Sequence, residues 1–156
     1  MIGCGYQVRS SVRSLPSGIE SLGIPTFRNL APEYKLEQRI SSALLREFST
    51  RTRIPIHSSS AGVDAALLGE IISVSSSPVT FGNDTYGSAF LVTVQISAKL
   101  VRLKDSAVIW EDSNFLYRER YVLNGDPKEF FSEGNPALDR LARAFAASLA
   151  STILNH

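Results

Sequence analysis

Two stretches of the chain carry apolar residues at spacings of three and four, which is the pattern of an amphipathic helix. The first predicts a helix over residues 33–50. The second predicts a helix that starts at Pro136, a residue suited to the first helical position, after Asn135 as a possible N-cap. The two apolar stripes are Leu36, Ile40, Ala43, Leu44 and Phe48 in the first helix, and Leu138, Leu141, Ala142, Phe145, Leu149, Thr152 and Ile153 in the second.

A strict alternation of apolar and other residues over 90–100 predicts a strand with one buried face and one wetter face. Lys104-Asp105-Ser106 is a turn signal, and residues 107–121 are predicted as the returning strand of a hairpin. Shorter extended segments are predicted at 23–27, which contains Pro25, at 53–57 and at 63–74, where Gly69 marks a bulge or a point of close packing. Residues 75–86 and 122–136 are predicted as polar loops.

Two helices have enough apolar surface to cover one side of a small sheet. The fold class predicted is therefore an α/β (α+β) two-layer sandwich, with both helices on one face of a four- to five-stranded mixed sheet. Residues 23–156 are predicted as one domain. Residues 1–22 are polar and rich in serine, and they are predicted as a tether that carries an attachment site.

Composition argues against several classes of function. The 156 residues have a net charge of +1, which gives no basic field for nucleic acid. No apolar run approaches the ~18 residues of a membrane-spanning helix. The histidines, His57 and His156, have no metal-ligand spacing, and no phosphate-binding loop or nucleophile elbow is present. We expect no catalytic residues, metal or cofactor; a hydrolase or transferase would need His57 to meet Glu70 or Asp64 in a cleft.

Cys4 is the only cysteine, and it follows a glycine almost at the N-terminus. A small residue directly before a cysteine resembles the cleavage site of a bacterial lipoprotein, whose lipid would attach to Cys4. The apolar leader of roughly 7–15 residues that such a site needs does not precede it. On this interpretation the signal peptide was removed from the expressed chain, or the start codon was placed late. The alternative is that Cys4 is an ordinary free thiol.

Arginines occur at two places where a ligand is conceivable. Arg118 and Arg120 alternate near the end of the hairpin and are predicted to share one sheet face. They form either a charged rim that discourages edge pairing or a contact for an anion. Arg46, Arg51 and Arg53 gather at the end of the first helix. There we favour a solvated helix end whose charges suit the helix dipole.

Four short motifs stand in the chain in the order Gly3-Cys4-Gly5-Tyr6, Gly23-Ile24-Pro25-Thr26-Phe27-Arg28-Asn29, Val63-Asp64-Ala65-Ala66-Leu67-Leu68-Gly69-Glu70-Ile71 and Val108-Ile109-Trp110-Glu111-Asp112. With this order and spacing the chain resembles, over nearly its full length, the LptE family of outer-membrane lipoproteins in lipopolysaccharide assembly. The resemblance implies two helices packed on a sheet, in agreement with the periodicity.

The resemblance also implies a role. LptE-like proteins are not enzymes; they plug the LptD β-barrel, help it assemble and present lipopolysaccharide for insertion in the outer leaflet. The resemblance implies that a lipid on Cys4 anchors the protein to the outer membrane. The protein would face the periplasm and lie inside the lumen of the barrel. The candidates for lipopolysaccharide contact are Lys128 in the loop 122–136, and Arg118 and Arg120 at the end of the hairpin. A different envelope lipoprotein of similar fold, serving a secretion or envelope complex, is the alternative.

Overall fold

A computed structural model of the chain describes residues 15, 18–31, 35–79, 88–123 and 136–155. Within these ranges two helices pack on a single six-stranded mixed sheet, which confirms the two-layer fold predicted from the periodicity. In chain order the elements are β1 (Leu22–Gly23), β2 (Arg28–Asn29), α1 (Glu37–Arg51), β3 (Ile56–His57), β4 (Ala65–Val79), β5 (Ser88–Arg102), β6 (Ala107–Leu123) and α2 (Pro136–Leu154).

The sheet has the order β3-β1-β4-β5-β6, and β2 pairs separately with β4. The pairs β1–β3, β1–β4 and β2–β4 are parallel, whereas β4, β5 and β6 form an antiparallel meander. Helix α1 lies between β1 and β3 in the chain, and these two strands are parallel, as in a βαβ unit. The long meander supplies most of the surface of the sheet.

The predicted strand over 23–27 is split in two. Leu22 pairs with Ala65 and Arg28 pairs with Glu70, so the seven residues 22–28 face the six residues 65–70. The extra residue falls in the stretch around Pro25, which has no N–H to donate to a ladder. Proline thus interrupts this strand and does not merely end it, and the split raises the strand number to six.

Polar residues that were predicted as loop continue β4. Ser75 to Val79 pair with Thr93 to Ala89 of β5, although Ser75, Ser76, Ser77 and Pro78 are exposed. Backbone pairing with β5 keeps this segment extended. No described strand pairs with the other edge of β4 after Ile71. An edge of this kind tolerates Pro78. The register shift of β4 lies between Ile71 and Ser73, so Gly69 is not at the bulge.

Helix α1 begins at Glu37, later than the predicted residue 33. Lys35 has a φ of 50°, and this left-handed conformation prevents the helix from extending back through it. Helix α2 begins at Pro136, as predicted. Every predicted stripe residue is buried except Thr152, which is exposed and donates its hydroxyl to the carbonyl of Ser148.

The two helices run parallel, side by side. Arg39 Nη1 donates to Asp139 Oδ1 at 2.5 Å near their starts, and Arg51 Nη1 donates to Ser151 Oγ at 2.6 Å near their ends. Both contacts join residues 100 positions apart, so the helices stay in register along their length. Ile19 and Leu22, which fall within the predicted tether of residues 1–22, are buried in the hydrophobic core. The packed region therefore includes part of the predicted tether, and the division into tether and domain stays a prediction.

Candidate binding face of the sheet

The helices cover one face of the meander and leave its other face open. Near the C-terminal end of β4, two rows of side chains cross β4, β5 and β6 on this open face. We call them the outer rows. The first comprises Ser75, Thr93 and Arg118, and the second comprises Ser77, Leu91 and Arg120. The two arginines are exposed, and Leu91 and Thr93 are half-buried.

A third line of side chains borders the outer rows and is cross-linked by hydrogen bonds. Ser73 Oγ donates to Gln95 Oε1 at 3.2 Å, and Gln95 Nε2 donates to Asn114 Oδ1 at 2.6 Å. Leu116, opposite Gln95 on β6, is 41% exposed. The face thus combines hydroxyls and amides, two arginines and isolated apolar side chains, a mixture suited to a polar, partly charged ligand or partner.

Arg118 and Arg120 point to the same face, as their alternation predicted. Whether they bind an anion stays a prediction, and so does the role of Lys128, which lies outside the described residues, as Cys4 does. Tyr117 and Tyr121 belong to the opposite face of β6, toward α2. Arginines and aromatic rings therefore do not interleave on one surface, as they would for stacking on nucleic-acid bases.

The inner face of β6 holds a cluster that sequence reasoning missed. Tyr117 OH donates to Glu119 Oε1 at 2.9 Å, and Tyr121 OH donates to Glu119 Oε2 at 2.8 Å. The ring of Tyr117 also meets that of Phe145 of α2 edge to face, at 5.9 Å between centroids. The signal in the sequence was the period of two over 117, 119 and 121, which places one carboxylate between two phenols on the same face.

This environment keeps the two phenols protonated. Burial is the largest cause that raises the pKa of Tyr117 and Tyr121 above the usual 10.0, followed by the hydrogen bond to Glu119 and the negative charge of that carboxylate. The charge of Arg140 opposes the rise at Tyr121 without cancelling it. The two hydrogen bonds join neighbouring residues of β6, and the ring of Tyr117 is the part of the cluster that contacts α2.

The residues that a hydrolase would need have other partners. Glu70 accepts a contact from Arg28 Nη1 at 3.4 Å, and Asp64 Oδ2 accepts the Glu20 N–H at 2.8 Å. His57 is exposed at the end of β3. Across the described ranges no three His, Cys, Asp or Glu side chains are grouped to hold a metal ion. In the same ranges no helix has the length and apolar character needed to span a bilayer.

A comparison with protein families identifies the relationship of the chain. The family model of LptE, described as lipopolysaccharide-assembly, matches residues 19–155. The chain belongs to the LptE family. The family relationship confirms the resemblance, since three of the four motifs lie within the matched residues, and it associates the chain with lipopolysaccharide assembly at the level of the family. No curated protein matches the sequence.

Solved structures share the fold of this LptE-family chain at low sequence identity. Protein XCC0632 from Xanthomonas campestris is 12% identical with a TM-score of 0.56, over 92% of this chain and 91% of that one. A candidate lipoprotein from Caulobacter crescentus is 13% identical with a TM-score of 0.51, over 83% and 88%. Protein CT253 from Chlamydia trachomatis is 10% identical with a TM-score of 0.53, over 89% and 100%. At these identities the likeness is one of fold alone.

Proposed function

We propose that this protein is a non-enzymatic lipoprotein of the outer membrane that lodges in an LptD-like β-barrel, helps that barrel assemble and assists lipopolysaccharide transport to the cell surface. The observation that carries the proposal is the family match over residues 19–155, which spans every element of the fold from β1 to α2. The proposal assigns the domain a structural and binding role and no chemistry.

The open face of the sheet supports a position inside a barrel. Large outer-membrane barrels have polar interiors, so a plug needs a polar surface that can be buried against them. The outer rows offer serine and threonine hydroxyls and two guanidinium groups, and the bordering line offers hydrogen-bonded amides. Such a surface loses little when it exchanges water for polar groups of a barrel wall.

The lipid anchor is assigned to Cys4, which follows Gly3 in the motif Gly3-Cys4-Gly5-Tyr6. A lipidated bacterial N-terminal cysteine carries several acyl chains, enough for stable attachment to a bilayer. The outer rows are the proposed contact for lipopolysaccharide, with Arg118, Arg120 and Lys128 as the cationic groups. Guanidinium groups bind phosphates through paired N–H donors, and neighbouring hydroxyls suit sugars.

The test is purification of the tagged protein, expressed with a native leader, from detergent-solubilised envelopes of the bacterium that encodes it. We expect a large β-barrel protein to co-purify in a fixed ratio and mass spectrometry to find Cys4 lipidated. A Cys4→Ser variant is the matched control for the anchor and should leave the membrane fraction.

The two outcomes that contradict the proposal are distinct. An unmodified Cys4 on membrane-extracted protein would rule out the anchor. Co-purification with a secretion or envelope complex that lacks a barrel of about 25 strands would favour the alternative envelope role over the plug.

A further inference from the structure

A second basic surface lies in the helical layer, on the side of the molecule away from the outer rows. The parallel helices α1 and α2 leave a groove of about 330 Å³ between them, open to solvent. We call it the interhelical groove. Arg39, Arg46 and Arg143 line it together with Asp139, and Ala43 and Ala142 are among its small residues.

The register of the helices explains why the arginines surround one point. Because residues 100 positions apart lie side by side, Arg143 lies across from Ala43. Arg39 and Arg46 are one turn before and one turn after Ala43 on α1, about 10 Å apart along the axis. The three arginines therefore flank a floor of short side chains that includes Ala43 and Ala142. The groove forms because long arginine side chains surround the short side chains of Ala43 and Ala142.

The charge of the groove is only partly balanced. Three arginines and one aspartate give it a formal charge of +2. Asp139 is bound to Arg39. Within the part of the chain that the structure describes, Arg46 and Arg143 form no salt bridge, and both are exposed. Arg46 and Arg143 lie on adjacent helices and line the same groove, so their like charges repel each other and an anion bound between them would relieve that repulsion.

We propose that the interhelical groove binds a phosphate group, through Arg46 and Arg143 with Arg39 held in place by Asp139. A guanidinium binds a phosphate through two parallel N–H donors, and its charge persists at every physiological pH. The groove is larger than one phosphate ion, so it also has room for part of the sugar to which a phosphate ester is attached. Two sources share this chemistry: the phosphorylated headgroup of lipopolysaccharide and free inorganic phosphate. The first source rests on the proposed function; the phosphate site does not.

The experiment observes the side-chain Nε–Hε resonances of ¹⁵N-arginine-labelled full-length protein during titration. One arm adds inorganic phosphate, and a second adds lipopolysaccharide either intact or with its phosphates removed chemically. We expect phosphate to shift the signals of Arg46 and Arg143 and to raise the melting temperature. The double variant Arg46→Gln/Arg143→Gln should weaken phosphate binding at least about tenfold. Arg53→Gln is the matched control, because Arg53 is an exposed arginine just beyond α1 and outside the groove.

Each outcome decides the matter. Shifts with intact but not dephosphorylated lipopolysaccharide support the site and assign the headgroup as its source. Shifts with inorganic phosphate alone support the site and assign free phosphate. Equal binding by the double variant and the wild type overturns the site. Competition by a short poly-glutamate peptide at equal or lower concentration overturns the phosphate assignment in favour of an acidic protein segment. Failure of barrel co-purification would overturn the proposed function and leave a positive phosphate titration standing.

Discussion

The aromatic ring of Phe27 lies directly against the backbone of Gly69. A Cβ added at Gly69 would lie 2.5 Å from Cε2 and 2.6 Å from Cζ of that ring, closer than real Cβ atoms approach carbon. Phe27 is 1% exposed and lies between the two short strands β1 and β2, just after Pro25. Because Gly69 has no side chain, residues 24–27, which belong to no strand, can pack onto β4 through Phe27. Gly69 is the point of close packing that the sequence allowed for.

Gly69→Ala should destabilise the protein by about 1–3 kcal/mol, because the added methyl group must displace a ring that is packed on all sides. The measurement is the free energy of unfolding in urea. A double-mutant cycle gives the control: Phe27→Leu shortens the opposing side chain, so Gly69→Ala should cost about 1 kcal/mol less in that background. An equal cost in both backgrounds would show that the steric contact is not the cause.

Ser41 holds the other side of the same segment. Its hydroxyl, buried on α1, accepts the N–H of Phe27 at 2.9 Å. Ser41→Ala should leave that buried N–H without a partner and cost about 1–3 kcal/mol of unfolding free energy. Ser42→Ala is the matched control, because Ser42 is the next residue of the same helix and is exposed. Its effect should stay within about 0.5 kcal/mol. Equal effects of the two substitutions would contradict the role of the hydrogen bond.

The Tyr117–Glu119–Tyr121 cluster should make the protein sensitive to high pH. Both phenols have a pKa raised above 10.0 in the folded state, first by burial and then by Glu119. A raised folded-state pKa means that the folded state holds its protons more tightly than the unfolded state. The stability contributed by the cluster is therefore complete below pH 10 and declines as the pH rises beyond it.

We expect the unfolding free energy of Tyr117→Phe/Tyr121→Phe to decline less between pH 9.5 and 11 than that of the wild type, a window of about 1.5 units around the ordinary tyrosine pKa. Glu119→Gln should reduce the decline only in part, because burial is the larger cause of the raised pKa. Ultraviolet absorbance of tyrosinate, recorded on the folded protein, follows the two ionisations directly. A decline as steep in the double variant as in the wild type would assign the alkaline loss to other groups.

Local pattern was enough for the elements whose burial follows a strict period. The alternation from Val92 to Leu100 matches the observed faces of β5, and the stripes of both helices match the core apart from Thr152. The errors occur where tertiary pairing overrides composition. Ser75 to Pro78 look like a loop, yet the ladder with β5 keeps them extended. The left-handed φ of Lys35 delays the start of α1. The sequence does not indicate it, because lysine ordinarily avoids this conformation.

The candidate sites divide in the same way. The shared face of Arg118 and Arg120 follows from the period of two along a single strand, so the sequence was sufficient. The interhelical groove depends on how α1 and α2 align, a relationship between residues 100 positions apart that no local pattern contains. In the sequence Arg46 is simply one of several charges near a helix end. In the structure it faces Arg143 across a hollow.

The outer rows give the last prediction, which tests lipopolysaccharide contact at the sheet. Arg118→Gln/Arg120→Gln should weaken binding of purified lipopolysaccharide about tenfold at low salt, since two exposed ionic contacts are each worth somewhat under 1 kcal/mol. Most of the difference between variant and wild type should disappear at about 0.5 M salt, because screening weakens exposed ion pairs. Isothermal titration calorimetry at both salt concentrations measures the effect.

Lys99→Gln is the matched control for that pair. Lys99 is an exposed cation on the same open face, paired opposite Glu111, and it lies six residues along β5 from Thr93, or roughly 20 Å. Its loss removes one positive charge from the same surface without touching the outer rows. If Lys99→Gln weakens binding as much as Arg118→Gln does, the attraction is a general effect of net charge. If only the outer-row variants do so, the two arginines bind the ligand at that place on the sheet.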